Sequence, residues 1–458
     1  MSPMQIQILE TPELGDRTYV VDDGTVSVVI DPQRDLDRLE PMLEQGPAYV
    51  LETHIHNDYV TGGFELARRT GAEYGVNAAD DVEFDRLRLV GGMQLRAGAL
   101  EITVVATPGH TPTHLSYVVR HVANPGIAPA VFSGGSLLYG TVGRTDLVDP
   151  TLTRGLAAAQ FWSARRLAGL PADTSLYPTH GFGSFCAGGE ASGASASTIG
   201  EEREKNAVLR AEGVDDFVAE LVASFGAYPS YYAHMAPLNR RGPGVVRLDG
   251  PVRRAGAEQL AALLARGAVV DLRSAAEFAA DHLDGSISIP LSTQFATYAG
   301  WVLRWGDLLG LVGHDEREIE QARRQLIRIG VDEVAAAWGS PEEMSPTASR
   351  GSYRRATFDE LAAEAGPQDV VVDVRRPDEY DADHVRGARN LPLHDVERRH
   401  TELPRGGRVW VYCAGGFRAG TATSLLHRAG ADVVHVDDAF IRAVELGLTA
   451  GGNRQGPR

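Results

Sequence analysis

Six side chains recur in this sequence at one constant spacing. Asp271-Leu272-Arg273 returns as Asp373-Val374-Arg375, and Glu277, His282, Gly285 and Pro290 return as Glu379, His384, Gly387 and Pro392, each displaced by 102 residues. Chance does not hold an offset constant over six positions, so the carboxy-terminal part reads as two copies of one unit. Each copy alternates helix with strand, as in a helix at 358–365 followed by a β-rich run at 370–374, and that alternation predicts α/β units with parallel sheets. Pro- and Gly-containing stretches at 237–244 and 339–352 read as linkers. Domains are therefore expected at 1–240, 245–345 and 352–458, as a chain of this length suggests.

The upstream part opens with strand patterns at 5–9, 18–21 and 25–30 and a helix at 35–45. A short apolar run at 48–51 then delivers Glu52-Thr53-His54-Ile55-His56-Asn57-Asp58-Tyr59. In extended chain alternate side chains share a face, so His54, His56 and Asp58 are placed to converge on one cation. Imidazole with carboxylate suits zinc or iron. A lone His-x-His is more often a solvated turn, but Gly109-His110-Thr111-Pro112 and Pro178-Thr179-His180-Gly181 follow, each after a strand pattern. His114, His121 and His234 read as surface or supporting histidines. Helices at 64–70, 79–85, 201–211 and 215–224 and strands at 93–95, 100–106, 115–120 and 130–132 complete the region.

A net charge of −17 disfavours nucleic acid and anionic membranes, which select clustered Lys and Arg. The first ten residues lack a basic start and an apolar run, and no segment reads as a membrane span. Two cysteines in 458 residues make no disulfide framework, which fits a reducing cytoplasm and makes each thiol individually interesting.

Cys413 ends a predicted strand and is followed by Ala414-Gly415-Gly416-Phe417-Arg418 and a helix at 419–429. A cysteine where a strand turns into a helix faces backbone N–H groups and the positive end of the helix dipole, which favour a thiolate or an anion. Arg418 adds a fork of donors suited to an oxyanion. The first copy has no cysteine, so it cannot repeat this arrangement; its stretch at 311–316, which includes His314, reads as part of a spacer or docking domain. Cys186, six residues past His180, is either a small buried hydrophobe or a thiol that acts near the metal. The Gly-, Ala- and Ser-rich tract at 187–197 reads as a loop at the mouth of that site.

The order of strand, Thr-His-x-His-x-Asp, Gly-His, Gly-rich turn and Pro-x-His over residues 5–235 resembles the metallo-β-lactamase fold, an αββα sandwich with its metal at one edge of the two sheets. Gly143-Arg144-Thr145-Asp146 and Ser197-Thr198-Ile199-Gly200-Glu201-Glu202-Arg203 make it more similar to persulfide dioxygenases, which use one non-haem iron(II) and O2 to oxidise a thiol persulfide to sulfite. The paired Asp-x-Arg, Glu, His-x-x-Gly and Pro elements resemble rhodanese domains, and the six-residue loop from Cys413 to Arg418 has the length of a sulfur-transferring rhodanese.

Two departures concern the metal. Position 59 is Tyr where the family has His, which favours a mononuclear site, and Gly135 stands where the family has its carboxylate ligand. Three readings follow: a three-imidazole face of His54, His56 and His110; Asp58 swinging in to replace the lost oxygen; or a scaffold without metal.

The resemblance as a whole implies a persulfide dioxygenase fused to tandem rhodanese domains. It implies Fe(II), one per chain, on His54, His56 and His110, with Asp58 and His180 auxiliary. Arg144 would bind substrate, Cys186, if not merely buried, would relay persulfide near the metal, and Cys413 with Arg418 would carry sulfane sulfur. The expected partners are a low-molecular-weight thiol persulfide, O2 and sulfite or thiosulfate, in a homo-oligomer. The alternatives are a zinc-dependent glyoxalase II or thioesterase-like hydrolase fused to a sulfurtransferase, and a sulfurtransferase on a non-catalytic scaffold.

Overall fold

Strand Asp16–Asp22 sends alternate side chains into two different cores: Tyr19 and Val21 into one, Val20 into another. The same alternation separates Val28 and Ile30 from Val29, Tyr117 and Val119 from Val118, and Phe132 from Val131. A period of two that is apolar on both faces requires a sheet covered on both sides. Residues 4–189, 193–244, 246, 248, 250–404 and 406–451 are described by this computed structural model. The chain forms two compact units, Met1–Asp249 with Arg324–Asp332, and Gly250–Arg323 with Glu333–Arg458.

In the first unit, strands Gln5–Thr11, Asp16–Asp22, Ser27–Ile30, Pro47–Leu51, Glu73–Asn77 and Leu87–Leu89 form one six-stranded sheet in chain order. Gln94–Ala97, Leu100–Ala106, Leu115–His121, Ala130–Gly134, Ser175–Pro178 and Ser197–Thr198 form the second in the same way. Tyr19, Ile30, Leu51, Ile102, Tyr117 and Phe132 fill the space between the sheets. Helix Gly63–Thr70 covers the outer face of the first sheet through Leu66 and Ala67, and helices Thr153–Ala168 and Val214–Ala223 cover the outer face of the second. This is the expected αββα layering.

Several local expectations differ from the structure. Instead of a helix at 35–45 there are two 3-10 turns, Leu36–Arg38 and Glu40–Met42, because Pro41 has no N–H to donate to a continuous ladder. Residues 79–85 are turns rather than helix, and residues 201–211 break into Ile199–Lys205 and Ala207–Arg210 where the Asn206 side chain caps the second piece by accepting from Val208 N. The supposed first linker is the end of helix Tyr232–Arg241, with Pro237 inside it. Within the tract at 187–197, residues 190–192 lie outside the described residues.

The second unit holds two parallel sheets. One has the order Ile287–Ser288, Ala268–Asp271, Leu309–Gly313, Val334–Trp338; the other has Arg389–Asn390, Val370–Asp373, Val409–Tyr412, Val433–Val436 and then Arg354–Ala356. The first two strands of each, and helices Ala275–Ala280 and Pro377–Ala382, are displaced by the same 102 residues as the repeated side chains. Arg273 clamps Asp271 through Nε at 3.0 Å and Nη2 at 2.6 Å and then donates to Asp281 O; Arg375 clamps Asp373 at 3.0 and 2.7 Å and donates to Asp383 O. His282 stacks on Phe278 and His384 on Tyr380, each bonded through Nδ1 to the carbonyl four residues earlier. Gly285 and Gly387 share a left-handed conformation, φ 86° and 78°. The repeated residues are therefore a folding set, and the family resemblance of the first copy goes no further than this shared architecture. Among the described residues no helix is long and apolar enough to cross a membrane.

Candidate metal centre and cysteine loop

The histidines stand where strands of the two sheets end. Asp31, the one non-glycine residue with positive φ among those described, turns its carboxylate under the loop that follows strand Pro47–Leu51. It accepts from Thr53 N and Thr53 Oγ1 at 2.7 Å and from the Thr179 hydroxyl, tying the His54 loop to the His180 loop. An aspartate tolerates that conformation better than most residues. Buried Asn239 completes the frame: its amide donates to the carbonyls of His56 and Tyr59 at 3.0 and 2.9 Å and accepts from Thr61 N at 2.9 Å. Val60 N donates to Arg328 O at 2.7 Å, and the buried Arg328 guanidinium donates to Asp35.

His54, His110 and His180 offer ring nitrogens within 4.8 Å of one another. Each ring is anchored by its other nitrogen: His54 Nδ1 on Thr53 Oγ1 at 2.9 Å, His110 Nδ1 on Arg144 O at 2.7 Å, His180 Nδ1 on Asp16 at 2.8 Å. Such outer partners fix ring orientation and tautomer. The buried Nε2 of His110 has no hydrogen-bond partner, and the Nε2 atoms of His54 and His180 face each other at 3.3 Å. Burial pushes His110 down to about 3 and, with His56 adding to it, His54 well below the usual imidazole range, so both rings favour the neutral form; the His110 Nε2 lone pair is unpartnered and that of His54 faces His180. His180 is the exception. Burial would lower it, but Asp58 and Asp16 hold it well above the usual value, and an ion among the three rings would take the place of its extra proton. These residues fit a single cation with imidazole donors, as zinc or iron(II) accepts.

His56 does not join that set. Its Nε2 lies 3.2 Å from Asp31 and 3.3 Å from Glu52, and these two carboxylates raise it to about 9 against the opposing effect of burial. His54, His110 and His180 thus form one candidate set, and His56, its Nε2 held by Asp31 and Glu52, falls instead in a second candidate set with Asp58 and His180. Asp58 also turns elsewhere, toward His180 Nδ1 at 3.1 Å and Ser184; its Oδ1 and His56 Nδ1 are buried without hydrogen-bond partners, and a second group, His56, Asp58 and His180, lies within ligand range.

Gly135 explains the missing carboxylate. A Cβ there would lie 2.3 Å from His110 Cδ2, so the imidazole fills the space a side chain would need. Gln160 holds this packing by accepting from His110 N at 2.7 Å and donating to Gly135 O and Ser136 O, both at 2.9 Å. His114 Nε2 accepts from Gly135 N at 3.0 Å, a positioning contact for a histidine that the sequence left as surface or supporting.

Two expected roles change. Arg144 is buried, with its guanidinium spent on Asp146, Phe185 O and Gly226 O and set over the Phe225 and Tyr228 rings; its carbonyl orients His110, and it has no free fork for substrate. Cys186 is fully buried, and burial, then Asp58 and Asp16, push its thiol well above the usual range, the reverse of what a persulfide relay needs.

In the second unit, strand Val409–Tyr412 ends at Cys413, which is 2% exposed, and helix Phe417–Arg428 begins four residues later. Ala414 and Gly415 are exposed. Gly416 turns the loop at φ 89°, with its carbonyl bonded to His435 Nε2, and a Cβ on it would lie 2.1 Å from Asp437 Oδ1. The first N–H groups of that helix have no intrahelical acceptor and are free to hold an anion or a thiolate. Arg418, expected to hold the anion, instead donates through both Nη atoms to Glu379 at 2.6 and 2.8 Å. Sheet register puts Gly313 of the first copy at the position of Cys413.

The sequence gave no local cue to Asp16, Asp31 or Gln160, which act across the fold, while Asn239 lay hidden in a Pro- and Gly-rich stretch.

Residues 14–180 match the Metallo-beta-lactamase superfamily, and residues 357–441 match the Rhodanese-like domain. A Burkholderia pseudomallei protein named "Probable metallo-hydrolase" is 34% identical over 201 residues, covering 37% of this chain and 63% of that protein. A hydroxyacylglutathione hydrolase of Cereibacter sphaeroides is 33% identical over 185 residues, covering 39% of this chain and 67% of that enzyme. The solved metallo-beta-lactamase from Staphylococcus aureus superposes with a TM-score of 0.67 at 24% identity, covering 74% of this chain and 99% of that one, a likeness of fold. The chain belongs to the metallo-beta-lactamase superfamily and carries a rhodanese-like domain behind its histidine centre.

Proposed function

We propose that this chain is a sulfur-metabolism enzyme that oxidises a low-molecular-weight thiol persulfide with O2 to sulfite and moves sulfane sulfur through Cys413. The observation that carries the reading is the pairing, in one polypeptide, of an unpartnered His110 Nε2 among converging imidazoles with a cysteine loop of rhodanese type. The overall oxidation balances as persulfide, O2 and water giving thiol, sulfite and two protons. His54, His110 and His180 would hold one iron(II), which would supply a redox-active centre with open positions for O2, while the four electrons O2 takes come from the sulfane sulfur. The protein keeps two of those rings neutral by burial, orients His110 through the Arg144 carbonyl and receives the His180 proton on Asp16.

At the second centre the Cys413 thiolate attacks the outer sulfur of a persulfide. The sulfur–sulfur bond breaks, the thiolate leaves with the electron pair, and a cysteine persulfide forms. Sulfite attacking that outer sulfur gives thiosulfate and returns the Cys413 thiolate. Both cysteines are free, as a reducing cytoplasm would keep them.

A second reading has its own support. The likeness to a hydroxyacylglutathione hydrolase favours a zinc centre that activates water for thioester hydrolysis. Anaerobic purification with iron supplied, followed by metal analysis and O2 uptake with a thiol persulfide, tests both. Iron near one per chain with O2 consumption supports oxidation; zinc with O2-independent thioester cleavage overturns it.

A further inference from the structure

Arg418 is the one cation the sequence offers beside Cys413, and Glu379 already occupies it. The two Nη–Oε bonds are parallel and short, and the side chains are only 20% and 25% exposed, so the pair is poorly screened and close to neutral as a unit; the more exposed Arg376, 3.6 Å from Glu379, is itself paired with Asp378. Glu379 is itself fixed. It sits at the third position of helix Pro377–Ala382 and accepts from Arg376 N at 3.1 Å, so it does not drift away from Arg418 at no cost. Its counterpart in the first copy, Glu277, caps its helix in the same way but meets His314 Nε2 at 3.2 Å, with no arginine. An aromatic pair stands beside them: Tyr298, supplied by helix Phe295–Val302 of the first copy, lies 4.8 Å from the Phe417 ring and stands in the field of Arg418, Cys413 and Glu379.

A dianion entering this loop would meet an arginine whose fork is already taken by a carboxylate. A persulfide with no charge beyond its sulfane sulfur needs neither group moved, and its organic part suits the Tyr298 and Phe417 rings. Resting on the proposed role of Cys413 as sulfur carrier, we infer that Glu379 is a charge filter: by occupying Arg418 it makes the Cys413 loop draw sulfur from thiol persulfides in preference to dianionic thiosulfate. Either donor balances. A persulfide releases its thiolate and thiosulfate releases sulfite, each leaving with the electron pair of the broken sulfur–sulfur bond while the outer sulfur joins Cys413.

The test compares two donors, thiosulfate and the persulfide of mercaptoethanol, on the full chain and on Glu379→Gln, which keeps a side-chain acceptor for the helix cap. Loading is read as the mass gain of one sulfur on Cys413, and rates as kcat/KM for each donor with cyanide as acceptor. Removing one like charge a few ångströms from a dianion should raise kcat/KM for thiosulfate by about tenfold or more, mainly through KM, and leave the persulfide within about twofold. Glu379→Asp, which restores the charge, should return the discrimination. Parallel loss with both donors would overturn the inference by making Glu379 a general positioning group for Arg418, as would an unchanged ratio. Absence of sulfur on Cys413 with either donor in either protein would overturn the carrier reading, and the filter with it.

Discussion

The His110 ring occupies the space that a side chain on Gly135 would need: a Cβ there would stand 2.3 Å from the ring's Cδ2. The family's carboxylate ligand therefore cannot be restored by substitution alone. Gly135→Asp is expected to displace His110, lower bound metal and cost about 1–3 kcal/mol through overpacking. Thermal unfolding and metal analysis of the purified variant check this; full metal content at unchanged stability would show that His110 is not where the structure puts it.

His56 and His180 should separate by phenotype. Loss of His180 removes one of three converging nitrogens, so His180→Ala is expected to lose metal. Loss of His56 instead leaves Asp31 and Glu52, both at most 2% exposed, without their cation. His56→Ala should destabilise the protein by about 3–5 kcal/mol. Urea unfolding and metal content, measured side by side, would reverse if His56 were the ligand and His180 the structural cation.

Gly416→Ala places a methyl 2.1 Å from Asp437 Oδ1 on a backbone at φ 89°. The left-handed conformation alone costs about 1–2 kcal/mol for a residue with a Cβ. Sulfur transfer should fall together with stability, whereas Cys413→Ser should abolish transfer at nearly unchanged unfolding temperature. A fully active Gly416→Ala would mean that the loop adopts another shape when it works.

Asp369 gives a pH dependence with a definite sign. Burial pushes its carboxyl up, but the N–H groups of Gly366 and Arg408, the Trp410 indole and the Arg408 charge outweigh it and hold it at about 2. An unfolded aspartate titrates near 3.9. The folded value is depressed, so this contribution to stability is complete above about pH 4 and is lost as pH falls toward 2. Asp369→Asn should be less stable than the parent chain at pH 7, with the gap narrowing between pH 4 and 3. A gap independent of pH in urea titrations would exclude the charge as its source.

The layers were legible because they rest on local periodicity. Alternation in Tyr19-Val20-Val21 or Phe132 and Val131 is written into the strand itself, and so is the fixed spacing of the repeated Asp-x-Arg. The metal centre was legible only as a collection of histidines. Alternation put His54 and His56 on one face, but the chain leaves extended geometry after Leu51, and which ring faces the centre is decided by Asp31 and Glu52, buried acids that claim His56. Arg418 was readable as a cation, yet its partner Glu379 lies 39 positions away and stands out in the sequence only as one of the repeated residues. Residues 35–45 and 237–241 failed for opposite reasons, one Pro breaking a predicted helix and another tolerated inside a real one.

The duplicated fork of Asp271 with Arg273 and Asp373 with Arg375 has a consequence for the history of the chain. With glycine at 313, the first copy has no thiol to protect, and yet it keeps the fork, the stacked histidine and the left-handed glycine of its twin. Those three shared features are the toll of folding. Subtracting one from the other leaves Cys413, Arg418 and the glycine turn between them as the share that belongs to sulfur.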